Sequence, residues 1–307
     1  MTDKKHLLNF QHGNAKLEKD TAILSLPAGH TCPFAKTCRS SCNRVTGKIT
    51  DGPHAEIRCY ATGAEALFPL IRKSRWNNFE LLRSAKTAIG MANLIEQSLA
   101  GKKKIKLVRF HQSGDFYSQA YFDAWLMFAQ QHPEFIVYGY TKALTFWVKR
   151  LHAVPANMKL VASRGGTHDH FIEMFGLRSA RVVLSEREAR RKWKLELDHD
   201  DTHVWKYDKD FAILIHGTQP AGSAAGKAWY QLCKVDKTGG YKSEYFKGYV
   251  SDGKGGKCKK SALIVPAVTV LPGAKQLANP NPRAGKVTIT TKALTKVLSH
   301  KWIKVYA

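Results

Sequence analysis

The feature that most limits how this chain can fold is a series of short β-branched runs, each apolar until its last residues and then polar: KIKLVRFHQSGD, EFIVYGYTKA, KLVASRGG, ARVVLSE and FAILIHG. Between them lie helical intervals: QAYFDAWLMFAQQHP, which Pro133 stops, then TFWVKRLHAVP, HDHFIEMFG and EARRKWKL. This alternation predicts an α/β fold, a parallel sheet of right-handed βαβ units that is either open or a partial barrel. Upstream, ALFPLIRKSRWNNFELLRSAKTAIGMANLIEQSLAG has apolar residues at helical spacing and predicts one or two amphipathic helices ending at Gly101.

In parallel sheets the carboxyl ends of the strands form the ligand-binding rim. Five polar strand ends would bring His111, Ser113, Asp115, Tyr140, Lys142, Ser163, Arg164, Ser185, Glu186 and His216 to one mouth. Each has a plainer reading alone: Asp115 and Glu186 could cap helices, and His216 could be a satisfied core histidine. Five such ends in series favour a site. Gly114 permits a positive φ or a close backbone approach, and Gly165 with Gly166 suits an anion at a helix N-terminus. His168 and His170 follow that loop, whereas His199, Asp200, Asp201 and His203 read as a polar surface loop in preference to a divalent-ion site. No Walker loop or GxGxxG fingerprint follows a strand.

Four of the six cysteines, Cys32, Cys38, Cys42 and Cys59, fall in 28 residues, separated by five, three and sixteen others. The surrounding run is rich in Gly, Pro, Ser, Thr and Asn and predicts an irregular loop over 30–60 that a metal would staple. Thiolates select zinc or an iron–sulfur cluster, against the alternative of small buried thiols. His30 or His54 could replace one thiolate. Cys233 and Cys258 read as structural.

Charge points to the partner. The chain carries 49 Lys and Arg against 24 Asp and Glu, a net +25 over 307 residues, which suits a phosphate backbone. No run reaches the ~20 apolar residues of a membrane span, and MTDKKHLLNF lacks a signal-peptide core, so a cytoplasmic protein with no membrane partner is expected. Arg72, Lys73, Arg75 and Trp76, and the cluster Arg187, Arg190, Arg191 and Lys192, are candidate DNA contacts; a solvated helical face is the plainer alternative. The domain reading is one α/β catalytic domain over 1–227, with a basic loop and β-rich extension over 228–307 packed on it.

The strings GNAKL, LPAGHTCPFAKTC, NRVTGKITDGP, CYATGAEALFP, RWNNFELL, HQSGDFYSQAYFDAW, YGYTKAL and IHGTQPAGS resemble the phage gene-product-88-like family over 14–223. The third cysteine of that family is often replaced, which makes Cys42 the least secure ligand. The chain is also similar to a bacterial antiphage DNA glycosylase that removes α-glucosylated hydroxymethylcytosine and leaves abasic sites. That resemblance implies double-stranded, modified phage DNA as substrate and no cofactor needed for the chemistry.

A glycosylase flips a nucleotide and stabilises an oxocarbenium-like sugar. Asp115 is the first candidate carboxylate and Glu186 the second, with His111 and Ser113 beside them; Tyr140, Lys142, Ser163, Arg164, His168, His170 and His216 are candidate substrate contacts. A desolvated Lys142 could form a Schiff base, but a monofunctional enzyme is expected. Two alternatives remain: a metal-cluster enzyme of radical S-adenosylmethionine type that modifies nucleic acid, and a non-catalytic phage replication protein that binds DNA. The sequence leaves oligomeric state open.

Overall fold

The computed structural model describes residues 7–14, 17, 19–102, 104–234, 249–251 and 257–259. The chain divides into two units, Met1–Trp229 and Tyr230–Ala307. In the second, β11 (Tyr249–Ser251) and β12 (Lys257–Lys259) form an antiparallel pair. The remainder of the β-rich extension expected over 228–307, from 260 onward, lies outside the described residues.

The first unit is built on one sheet of β1 (Gln11–His12), β2 (Thr21–Ile23), β5 (Leu107–Arg109), β6 (Ile136–Thr141), β7 (Met158–Ser163), β8 (Ser179–Val183), β10 (Phe211–Leu214) and β9 (Glu196–Leu197), in that spatial order. All neighbours are parallel except β1 against β2. From β2 to β10 the spatial order follows the chain order, apart from β9, which lies outside β10. Such consecutive winding is shared with (βα) barrels, but among the described residues no ladder joins β9 to β1. The described strands therefore do not close into a full barrel, which agrees with either an open sheet or a partial barrel. The same residues contain no helix long and apolar enough to cross a membrane.

Strand periodicity separates two faces. Val108, Val137, Leu160 and Ala162 join the large core, with Met91 and Ile95 of α3 (Ala88–Leu99), Tyr121 and Trp125 of α4 (Gln119–Gln131), Leu144 and Trp147 of α5 (Leu144–Val148), and Ile172 of α6 (His170–Met174). The alternate residues Tyr138, Val161, Ala180 and Phe211 pack on the opposite face against Val204 of α7 (Thr202–Lys206). Trp125 is fully buried, and its truncation to Ala would cost roughly 3–5 kcal/mol.

Local chemistry sets the helix ends. Ser118 caps α4 by accepting from Tyr121 N at 3.2 Å, and Thr87 caps α3 by accepting from Gly90 N at 3.1 Å. The region read as one or two helices holds two, α2 (Pro69–Ser84) and α3, and follows α1 (Tyr60–Leu67); Pro69 opens α2 at N1 and holds Phe68 extended, which ends α1. EARRKWKL forms a π-helical stretch, Glu188–Trp193. Within 30–60, expected as an irregular loop, β3 (Ser40–Cys42) and β4 (Ile49–Asp51) form a hairpin.

Candidate active site

The loop after β5 begins with His111 at φ +58 and turns at Gly114, φ +87. Asp115 is then buried against the end of β6. Its Oδ1 accepts from Thr141 Oγ1 at 2.6 Å and Phe116 N at 2.7 Å, and its Oδ2 accepts from Lys142 N at 2.8 Å. Burial pushes the carboxyl up to about 6, while the Thr141, Lys142 and Phe116 donors pull it back. Asp115 is not the α4 cap, a role Ser118 takes; it joins two strand ends as a buried acid.

The other groups of the mouth are largely committed to the protein itself. Lys142 Nζ donates to Ser163 O at 2.9 Å, Ser163 Oγ at 2.6 Å and Arg164 O at 2.7 Å. All three ammonium hydrogens are thereby used. Arg164 reaches away, to Ser179 Oγ at 3.0 Å and Glu173 at 2.7 Å. Ser113 Oγ donates to Leu26 O at 2.8 Å, tying the β5 end to the β2 end. The expected anion loop is filled from within, because the Gly165 and Gly166 amides donate to the Asp169 carboxylate at 2.8 and 2.9 Å.

The glycines serve a different approach. A Cβ at Gly114 would stand 2.5 Å from Thr31 Oγ1, and one at Gly165, φ +95, 2.1 Å from Thr37 Oγ1. Lys36 N and Thr37 N both donate to Gly165 O, at 3.1 and 3.0 Å. The glycines therefore let the cysteine segment lie against the mouth. Cys32, Cys38 and Cys59 are half-buried and Cys42 is fully buried, all as free thiols. Burial, then Asp115, Cys59 and Cys38, push the Cys32 thiol well up; burial and Cys38 push Cys59 to about 11. Cys42 stands elsewhere, its Sγ 3.6 Å from Asn43 O and its surroundings set by Glu65, Arg72 and Arg75.

Several expected site residues are placed otherwise. The His111 ring is buried among Phe116, Phe110 and Tyr121, with centroids 4.6, 5.3 and 5.6 Å away. Burial, then Arg109, push it down to about 3, so it is a neutral core group and not a mouth base. Glu186 follows β8, 3.6 Å from Arg190. His216 packs on Tyr60 at 4.4 Å, and its Nδ1 lies 2.9 Å from Leu214 O. His168 packs on Phe34 at 5.2 Å, and His170 is exposed beside it.

Arg72 and Arg75 are not surface cations. Arg72 is 7% and Arg75 6% exposed; Arg72 donates to Arg44 O and Glu65 O, and Arg75 to Ala61 O and Glu65 Oε1. Arg75 neutralises fully buried Glu65, whose carboxylate also accepts from Ala28 N at 2.8 Å. Lys73 is exposed, and Trp76 is half-buried between His30 and Arg44. Arg190, Arg191 and Lys192 are exposed on the π-helical stretch, and Arg187 is exposed just before it.

The sequence reading missed a polar network on the opposite face. Arg109 Nε lies 3.0 Å from Asp201 Oδ2, an ion pair by distance whose N–H is not aimed at the oxygen. Burial works against the Arg109 charge, but Asp201 holds its pKa above the ordinary value. The Tyr140 hydroxyl lies 3.2 Å from Asp201 Oδ1 and 3.3 Å from Asp198 Oδ2, and His203 Nδ1 lies 3.1 Å from Asp198 Oδ1. Tyr140 thus belongs to this network, and Asp201 and His203 are not a surface loop. The available signal was an arginine inside the apolar run KIKLVRF. Among the described residues, no group of three or more His, Cys, Asp or Glu side chains is gathered to hold a single metal ion.

A family model described as gene product 88 matches residues 6–234. The chain belongs to the gene product 88 family. No curated protein and no solved structure matches it significantly. The family match spans both the cysteine segment and every strand of the sheet, so the juxtaposition of Cys32, Gly114 and Asp115 lies wholly inside the gene product 88 region.

Proposed function

We propose that this gene product 88 protein is a DNA glycosylase that excises α-glucosylated hydroxymethylcytosine from phage DNA and leaves abasic sites, as an antiviral activity. The observation that carries this reading is Asp115, a buried carboxyl held at the strand-end mouth by three donors. A net charge of +25 supports a polyanionic substrate. A negative charge placed beside the sugar of a flipped nucleotide offsets the oxocarbenium charge, and more strongly where water is excluded. In the hydrolysis, water oxygen bonds to C1′ as the C1′–N1 bond breaks. The departing base takes the electron pair, and Asp115 accepts the water proton, which passes on to the base.

Consecutive strand winding, with Cys32 within electrostatic reach of Asp115, Cys38 and Cys59, favours a second reading, a cluster-dependent enzyme that modifies nucleic acid. The two separate on matched duplexes carrying cytosine, hydroxymethylcytosine or its α-glucosylated form, assayed by mass spectrometry. Free base and an abasic strand from the glucosylated duplex alone are expected. Salt-dependent binding to all three duplexes without release would overturn the glycosylase reading.

A further inference from the structure

Thr37 O accepts from Glu56 N at 2.8 Å and Ile57 N at 3.0 Å, so the chain leading into Cys38 lies beside the chain leading into Cys59. Cys59 N also approaches Ser40 Oγ at 3.4 Å. Thr31, next to Cys32, occupies the space a Gly114 side chain would need. Cys32 N donates to Gly29 O at 3.3 Å, and a Cβ on Gly29 would stand 2.2 Å from Ser40 O, so the turn at Cys32 lies against the same Ser40 that Cys59 N approaches. These contacts bring three thiols together from separate points of the segment, and Cys32 is within electrostatic reach of the other two. None is spent in a disulfide.

We propose that Cys32, Cys38 and Cys59 are the protein thiolates of an iron–sulfur cluster seated between the cysteine segment and the mouth of the sheet, and that Cys42 is not a ligand. Thiolates on one tetrahedral ion crowd around it at about 2.3 Å, and these three are not gathered in that way. Thiolates bound to separate irons of a cluster stand farther apart, with inorganic sulfide filling the space between. Three protein ligands leave one iron of a four-iron cluster without a cysteine, and Asp115 is the charged group acting most strongly on Cys32. Assembly replaces three S–H bonds by S–Fe bonds and releases three protons. Two ferrous ions, two ferric ions and four sulfides come from solution, so the core assembles with no net oxidation or reduction.

The site stands whether or not the protein releases bases, because its test reads metal and not activity. The full chain is reconstituted anaerobically with iron salts and sulfide, desalted, and assayed for iron, acid-labile sulfide and visible thiolate-to-iron absorption. Wild type and Cys42→Ala should retain equal iron and sulfide, and Cys32→Ala, Cys38→Ala and Cys59→Ala should each lose most of both. Alkylation of wild type guards against misfolded variants: Cys32, Cys38 and Cys59 should be protected when loaded and modified after chelation. Retention of zinc without sulfide, no retained iron, or loss in Cys42→Ala equal to the other variants would overturn the proposal.

Discussion

Thr141 donates a 2.6 Å hydrogen bond to Asp115, joining the end of β6 to the turn that follows β5. Because the acceptor is a buried carboxyl, removing this donor leaves it under-satisfied. Thr141→Val should therefore cost roughly 1–3 kcal/mol, read as a lower urea midpoint at unchanged slope. An unchanged midpoint would show that Asp115 is not held as described.

Lys142 has no hydrogen left for a substrate, since Ser163 O, Ser163 Oγ and Arg164 O take all three. Borohydride reduction during turnover on a glucosylated duplex should trap no covalent protein–DNA adduct. A trapped adduct at Lys142 would contradict the monofunctional reading.

The two groups of arginines should separate by salt. Arg72→Ala removes buried bonds to backbone carbonyls and should lower stability by about 2–3 kcal/mol, leaving the salt dependence of DNA binding alone. Arg190→Ala, at an exposed position, should leave stability unchanged and reduce the slope of log K against log salt by about 0.9. The reverse pattern would refute the assignment of Arg72 to the interior.

His111 and Asp115 should impose opposite pH dependences on the stability of the metal-free protein. The folded pKa of His111, about 3, lies below its unfolded value near 6.5, so its contribution is present above 6.5 and lost as pH falls towards 3. The folded pKa of Asp115, about 6, lies above its unfolded value near 3.9, so its contribution is present below 3.9 and lost as pH rises through 6. Each slope approaches about 1.4 kcal/mol per pH unit, and between pH 4 and 6 the two oppose. His111→Asn, which tolerates the left-handed backbone, should uncover a fall in stability from pH 4 to 6. Asp115→Asn should uncover a rise over the same interval. Equal profiles for wild type and both variants would contradict the burial of these groups.

The repeating units of the fold were legible because each strand from β5 to β8, and β10, is a β-branched run ending in polar residues. The short β2 was not, since three residues before a Gly- and Pro-rich segment carry too little periodicity. Asp115 was legible as a polar residue at a strand end. The misplacements share a physical origin: the identity of a polar side chain does not say whether solvent, substrate or the protein satisfies it. Asp169 fills the Gly165–Gly166 loop, Glu65 draws Arg75 inward, and aromatic rings enclose His111. The Asp169 contacts are made within four residues of chain, whereas Glu65 and Arg75 meet only when α1 packs beside α2.

The most direct test of the account compares wild type and Asp115→Asn under single turnover on α-glucosylated duplex, with DNA binding measured on the same samples. The account predicts free base from wild type, release slowed by about 10²-fold or more in the variant, and unchanged binding. Release at the wild-type rate by Asp115→Asn, or no release by wild type, would contradict it.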